Sequence, residues 1–212
     1  MQNAKWLIVS LLGTVVVVLV AAVLLSGKGV VSVDPAELEA GARAATVSGQ
    51  LVEGEVPKVV IVEFSDFQCP ACRAAQSEVK RVLAENEGAG LVFRHFPLTS
   101  IHKNAFIAAV ASEVAGKNNK FWEYHDLLFE RQNEWEEESE IEGRLVSYAV
   151  ELGLDGELFL QQFNAKVGEE EVQADLSLGR KVGVASTPTF FVNGEKVGMV
   201  ELADKVAEKL AE

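Results

Sequence analysis

Apolar and polar positions fall into four blocks along the chain. The first is Trp6 through Leu25, a run of 20 residues without a charge, close to the length of helix that crosses a hydrocarbon core of about 30 Å. The second opens with Val59 to Phe64, a nearly continuous apolar stretch of the kind that forms a strand buried on both faces. Helix-compatible residues Ala74 to Asn86 follow, stopped by Gly88 and Gly90, and Leu91 to Phe96 gives a second strand, so this block predicts a βαβ unit with parallel strands. In the third block Ala105–Val114, Phe121–Glu130, Arg144–Leu152, Glu157–Phe163 and Val172–Val182 each carry apolar residues at helical spacing, parted by Gly116, Gly143, Gly153 and Gly183. The fourth predicts a hairpin, Thr189–Val192 and Lys196–Val200 around Asn193-Gly194, and a last helix from about Leu202 to Leu210. No internal repeat is visible.

The first block reads as a single-span anchor, with a cleaved signal peptide as the rival. The apolar run exceeds the usual 7–15 residues of a signal peptide and no Ala-x-Ala closes it. Lys5 precedes the run and Asp34, Glu37 and Glu39 lie beyond it, which places the short N-terminus in the cytoplasm and the body outside. The domain plan is therefore an anchor or signal peptide over residues 1–26, a linker over 27–54 and a globular domain over 55–212, its helical block spanning about 103–183. Within the linker, Asp34, Pro35 and Glu37 form an N-cap, a first-turn proline and a first-turn acid, predicting a short helix to about Ala45.

Composition narrows the function. Of 212 residues, 19 are Lys or Arg and 32 are Asp or Glu, a formal charge of -13. Such a surface repels phosphate backbones, so nucleic acid is not an expected partner. Two cysteines are too few for a disulfide-stapled scaffold or a four-cysteine zinc site. Both fall in one motif, Cys69-Pro70-Ala71-Cys72, and in an oxidising compartment a vicinal pair of this kind points to disulfide exchange.

The motif sits where a strand ends and a helix begins. Unpaired N–H groups and the macrodipole there favour an anion, so Cys69 is expected to have a depressed pKa, and Pro70 suits the first turn. Cys72, one turn further, is close enough to bridge to Cys69 but more shielded. Half of a metal site would need two more ligands. His95, His102 and His125 are the soft candidates, each read as a packed or surface residue, and no metal is expected. Glu63 stands inside an apolar strand, where a carboxylate is costly to bury, so it is expected to be partly protonated or hydrated and able to exchange a proton with Cys72. The acids Glu134, Glu136, Glu137, Glu138, Glu140 and Glu142 read as a solvated approach to a helix or as an acidic docking face. Phe67 and Met199 are candidates for an apolar substrate groove, with core packing the equal alternative for each.

Three segments together resemble one family: Asp66-Phe67-Gln68-Cys69-Pro70-Ala71-Cys72, Lys120-Phe121-Trp122-Glu123-Tyr124-His125-Asp126, and Thr187-Pro188-Thr189-Phe190-Phe191-Val192-Asn193-Gly194. They are similar to the thioredoxin-fold superfamily and, within it, the DsbA-like thiol:disulfide oxidoreductases, over roughly residues 55–212. The resemblance implies an α/β thioredoxin fold (βαβ-ββα) with an inserted all-helical domain. It implies that Pro188 is the cis-proline facing the active-site disulfide and that Thr187 before it influences redox behaviour. It also makes Glu63 the charged strand residue six before the first cysteine. Catalysis is then expected from Cys69, Cys72, Glu63 and Pro188, and substrate contact from Thr187, Pro70, Ala71 and Phe67. Many strongly oxidising relatives carry His where Ala71 stands, which leaves the redox direction open.

The function so implied is the introduction of disulfides into newly exported, cysteine-containing polypeptides, outside the cytoplasm and on a membrane tether. No cofactor beyond the Cys69/Cys72 couple is implied, and reoxidation calls for a quinone-linked membrane partner of the DsbB or vitamin K epoxide reductase type. A reductase or isomerase of the same fold and a non-catalytic metal- or protein-binding module are the alternatives.

Overall fold

The computed structural model describes residues 33–39, 43–45 and 57–212, and the expected membrane anchor at residues 6–25 lies outside them. Among the described residues no helix is long and apolar enough to cross a membrane. Five strands form one sheet in the order β1-β3-β2-β4-β5: β1 is Arg43–Ala45, β2 Val59–Ser65, β3 Ala89–His95, β4 Thr189–Val192 and β5 Glu195–Val197. The pair β2–β3 is parallel, and β1–β3, β2–β4 and β4–β5 are antiparallel. Strand β2 therefore lies mid-sheet, which is why all seven of its positions are buried and why its sequence is apolar almost throughout.

Side chains alternate across β2. Val59 and Ile61 join Leu91, Phe190 and Val192 in a layer covered by α2 (Pro70–Glu85) and the C-terminal helix α9 (Leu202–Ala211), through Ala75, Val79, Val82, Leu83, Leu202 and Val206. Val60, Val62 and Phe64 face the other way, into the larger cluster shared with the helical insertion. That insertion comprises α3 (Ala105–Lys117), α4 (Phe121–Glu130), α5 (Gln132–Trp135), α6 (Glu142–Glu151), α7 (Gly156–Asn164) and α8 (Glu169–Lys181), all between β3 and β4. Its own core holds Tyr124, Trp135, Tyr148 and Phe159, each at most 2% exposed.

The linker differs from expectation. The helix from Asp34 ends early, as α1 (Pro35–Glu39), and Arg43–Ala45 extend as β1 on the free edge of β3. Residues 33–39 pack onto the domain: Val33 N–H donates to Gly194 O at 2.8 Å, Leu38 is fully buried, and Lys181 pairs with Glu37. Local pattern could not reveal this, because the partner of that segment is a buried cation. Arg94 donates from Nε and Nη2 to Leu38 O at 3.0 and 2.8 Å and from Nη1 to Asp175 at 2.6 Å, while the other Asp175 oxygen accepts from His95 N. A buried pair of this kind costs about 3–5 kcal/mol to break one-sidedly. The second hairpin strand is also shorter than expected, stopping at Val197 before a 3₁₀ turn over Met199–Glu201.

The turn at Asn193-Gly194 is as the sequence suggests, with φ of 45° and 82°. Gly194 is required twice over, because a Cβ there would also lie 2.1 Å from Val33 O. Gly179 answers a different need. It lets α8 approach the sheet so closely that a Cβ would meet the Phe96 ring at 2.5 Å and Phe64 at 3.2 Å. Gly179→Ala is therefore expected to lower stability by about 1–3 kcal/mol through overpacking, read as a shifted urea midpoint at unchanged slope.

Candidate active site

The chain leaves β2 through Ser65 and turns at Asp66. This carboxylate is buried and caps its own loop, accepting from Gln68 N at 2.7 Å, Leu98 N at 2.8 Å and His102 Nδ1 at 2.7 Å. The loop is fixed from the helical insertion as well. Gln132, fully buried on α5, donates from Nε2 to Phe67 O at 2.7 Å and to Cys69 O at 3.1 Å. The Gln68 side chain donates to Glu136 O and accepts from Asn104 N, both at 2.7 Å.

Cys69 is the extended N-cap of α2 and Pro70 its first helical residue, so the sulfur lies at the positive end of the helix, although it makes no capping hydrogen bond. Both cysteines are thiols here. Cys69 is 7% exposed and Cys72 is not exposed at all, whereas Pro70 and Ala71 are on the surface. The Thr187–Pro188 peptide is cis and brings Thr187 O within 3.5 Å of Cys69 Sγ. The buried Thr187 hydroxyl has no hydrogen-bond partner here.

The two sulfurs are pushed apart in acidity. The Cys72 thiol donates to the Cys69 sulfur and, against the opposing effect of burial, brings Cys69 down to about 5, helped by the Cys72 and Ala71 backbone N–H groups and by Thr187. Cys72 is held far above the usual thiol range by burial first, then by its bond to Cys69 and by the Glu63 charge. Glu63 is raised to about 7 because it is wholly buried, against the opposing hydrogen bonds of Ser65 at 2.7 Å and Gln76 at 3.2 Å to its Oε1. Its other oxygen, Oε2, has no hydrogen-bond partner. Such a trio keeps a leaving group or nucleophile just within the surface, a neutral thiol beneath it, and an acid able to give or take a proton near neutral pH.

Of the expected site residues, Cys69, Cys72, Glu63, Thr187, Pro188, Pro70 and Ala71 converge as described. Phe67 does not reach a substrate groove. It is 1% exposed and stacks on Phe93 with centroids 5.2 Å apart, beside His125 and Phe129, because the Asp66 turn directs it inward. Met199 is half-buried against the α2/α9 layer. Of the acids of 134–142, Glu134, Glu137, Glu140 and Glu142 are exposed, as a solvated approach to a helix requires, while Glu138 pairs with Arg144 and Glu134 accepts from Tyr148 Oη; the main chain of this stretch is held by Asn104 Nδ2, which donates to the carbonyls of Trp135, Glu136 and Glu138. His95 contacts Glu113, His102 contacts Asp66, and His125, lowered by burial, contacts Asp126. Among the described residues no three potential metal ligands converge. Sequence reading missed Ser65, Asp66, Gln76 and Gln132. Gln76 alone had a local signal, lying one helical turn beyond Cys72.

A central parallel pair, an antiparallel hairpin after the insertion, a Cys-x-x-Cys at a helix N-terminus and a facing cis-proline define a thioredoxin fold with a DsbA-like helical insertion. Residues 50–209 match the Thioredoxin_4 family, described as thioredoxin, and the chain belongs to that family. Among solved structures it is similar to oxidised BdbD from Bacillus subtilis, at 23% identity and a TM-score of 0.70 over 81% of this chain and 94% of that one. It is likewise similar to the thiol-disulfide exchange protein alpha-DsbA2 from Wolbachia pipientis, at 18% identity and a TM-score of 0.64 over 82% of this chain and 90% of that one. These likenesses establish the fold. Among curated proteins it is 37% identical over 138 residues to Na(+)/H(+) antiporter NhaA 3 of Salinispora tropica, a match covering 65% of this chain and 20% of that protein. The chain thus spans about a fifth of the length of the curated relatives it matches.

Titrating the reduced protein with iodoacetamide is expected to show Cys69 becoming reactive with a midpoint near pH 5, with Cys72 unlabelled through neutral pH. A midpoint near the ordinary thiol value of about 8.5 would contradict the asymmetry described here.

Proposed function

We propose that the chain is a protein thiol:disulfide oxidoreductase that introduces disulfides into exported polypeptides through Cys69 and Cys72. The observation that carries this reading is the asymmetry of the pair: a slightly exposed sulfur of low pKa over a fully shielded thiol and a buried acid. A substrate thiolate attacks Cys69 Sγ of the disulfide and Cys72 leaves, its proton supplied from Glu63. A second substrate thiolate then attacks the substrate sulfur of the mixed disulfide and displaces Cys69 as a stable thiolate. Lowering the pKa of that leaving thiol stabilises the reduced protein relative to the disulfide by about 1.4 kcal/mol per unit, which makes the pair an oxidant.

The oxidising direction needs no side chain at position 71. Ala71 offers neither charge nor hydroxyl, but the Cys69 thiolate is held by Cys72, by backbone N–H groups and by Thr187. Pro70, Ala71 and the Thr187–Pro188 segment would form the surface presented to an extended substrate, with Thr187 O already turned toward the sulfur. The couple itself is the redox group and no further cofactor takes part. The uncharged run from Trp6 to Leu25 supports an extracytoplasmic body held at the membrane, near a quinone-linked reoxidant of the DsbB or vitamin K epoxide reductase type. A reductase or isomerase of the same fold is the second reading, favoured by Ala71 in place of a charged residue.

Equilibrating the chain against glutathione buffers decides the direction. A reduction potential near about -120 mV is expected, and one near about -270 mV would assign the protein to the reductases instead.

A further inference from the structure

Both cysteines are tied to the main chain of one residue. Asp66 N donates to Cys72 Sγ at 3.5 Å, and Asp66 O accepts from Cys69 N at 3.0 Å. Where that main chain lies is decided by the Asp66 side chain, which is fully shielded and gripped from two directions. Oδ1 accepts from Gln68 N at 2.7 Å, closing the turn into the cysteine motif. Oδ2 accepts from Leu98 N at 2.8 Å and from His102 Nδ1 at 2.7 Å, both on the turn that follows β3. That turn is closed on itself, Ile101 N and His102 N donating to Leu98 O at 3.0 and 2.9 Å, so a backbone N–H and a ring N–H are presented to the same oxygen. Of these three donors only His102 uses its side chain, and its ring is 16% exposed, so this donor can be removed without touching the main chain.

A sulfur that carries charge away from solvent needs a donor already in place. Cys72 is not exposed at all, yet at each exchange its sulfur becomes anionic, as the attacking thiolate in one direction and as the leaving group in the other. A fixed N–H aimed at that sulfur stabilises the charge without giving up its proton, as the donors of an oxyanion hole do. We propose that the Asp66 main-chain N–H stabilises the Cys72 sulfur as it gains charge, and that His102 is the positioning residue that holds this N–H in place. This rests on the exchange reading above and adds a residue to it. In the resolving direction Cys72 gives its proton to Glu63 and its thiolate attacks Cys69 Sγ. The Cys69–Cys72 bond forms and the bond from Cys69 to the substrate sulfur breaks. The electron pair leaves on the substrate thiolate, so the protein dithiol is oxidised and the substrate disulfide reduced. In the oxidising direction the same bonds break and form in reverse, and the electron pair arrives on Cys72 Sγ beside the same N–H. Cys69 Sγ faces Thr187 O instead, so only the half-reaction at Cys72 depends on His102.

The test follows reduced protein with oxidised glutathione, quenched in acid and weighed by mass spectrometry, so that mixed-disulfide formation at Cys69 and its resolution by Cys72 are timed separately. His102→Phe keeps the volume of the ring, removes the donor and keeps water from replacing it. A thiol well above ambient pH loses thiolate tenfold for each further pKa unit, and the accompanying gain in nucleophilicity returns about half of that on a logarithmic scale. Resolution in His102→Phe is therefore expected to slow about 3-fold or more, with mixed-disulfide formation within about 2-fold of the parent chain. His102→Asn, whose side-chain amide can donate from the place of Nδ1, is expected to restore most of the rate. Unchanged resolution in His102→Phe would overturn the role, as would a His102→Asn chain equally slow, or both steps slowed by the same factor, which is what general loosening of the loop gives. Should His102→Phe fail to fold, amide hydrogen exchange decides: in the reduced parent chain the Asp66 N–H is expected to exchange at least about 10-fold more slowly than in Cys72→Ala, and equal rates overturn the bond to sulfur on which the role depends. If the parent chain forms no mixed disulfide at all, the exchange reading itself fails, an outcome distinct from failure of the positioning role.

Discussion

A carboxyl group held without solvent in the middle strand of the sheet is the constraint on which this site depends. Glu63 has no place in an apolar layer unless something shares its proton, and Ser65, Gln76 and the Cys72 thiol are what surround it. The arrangement links three acidities. Burial raises Glu63 to about 7, its residual charge helps keep Cys72 a neutral thiol, and that neutral thiol is the donor that lowers Cys69. The helix N-terminus supplies backbone N–H groups to the same sulfur, but the largest contribution comes from the other cysteine. The motif therefore works as a pair with unequal surroundings rather than as two thiols at a favourable spacing.

Much of this was legible in the chain. The unbroken apolar run Val59–Phe64 announced a central strand, Asn193-Gly194 announced a hairpin, and apolar residues at helical spacing located the long helices of the insertion to within a few residues. The cysteine motif could be placed because strand-to-helix junctions are marked locally, here by Pro70. What stayed hidden depends on contacts across long stretches of sequence. Strand β1 has only three residues and exists because β3 offers a free edge. Phe67 looked like a groove residue because an aromatic beside an active cysteine has no local signal for direction, and the bonds to the Asp66 side chain that fix the turn come partly from Leu98 and His102. Gln132 lies 63 residues from the carbonyl it holds.

The helical insertion has two distinct tasks. Its interior, around Tyr124, Trp135, Tyr148 and Phe159, is ordinary apolar packing that lets it hold its shape. Its edge nearest the sheet is polar and spent on the active-site loop: Gln132 on the carbonyls of Phe67 and Cys69, Asn104 and the Glu136 carbonyl on Gln68. Hydrogen bonds to main-chain atoms define where a loop sits more sharply than apolar contact does, because they specify both distance and direction.

That division bears on how such proteins can diversify. Gln68, Asn104 and Gln132 form a lock whose parts lie on opposite sides of the boundary between sheet and insertion, so the insertion is not a cassette that can be exchanged whole between relatives. A graft that kept the cysteines but lost Gln132 would leave the Cys69 carbonyl without that donor and the first turn of the helix less fixed beneath the sulfur. Drift in the helical domain is thus felt at the redox pair, and the chemistry of the two cysteines is inherited from both halves of the fold together.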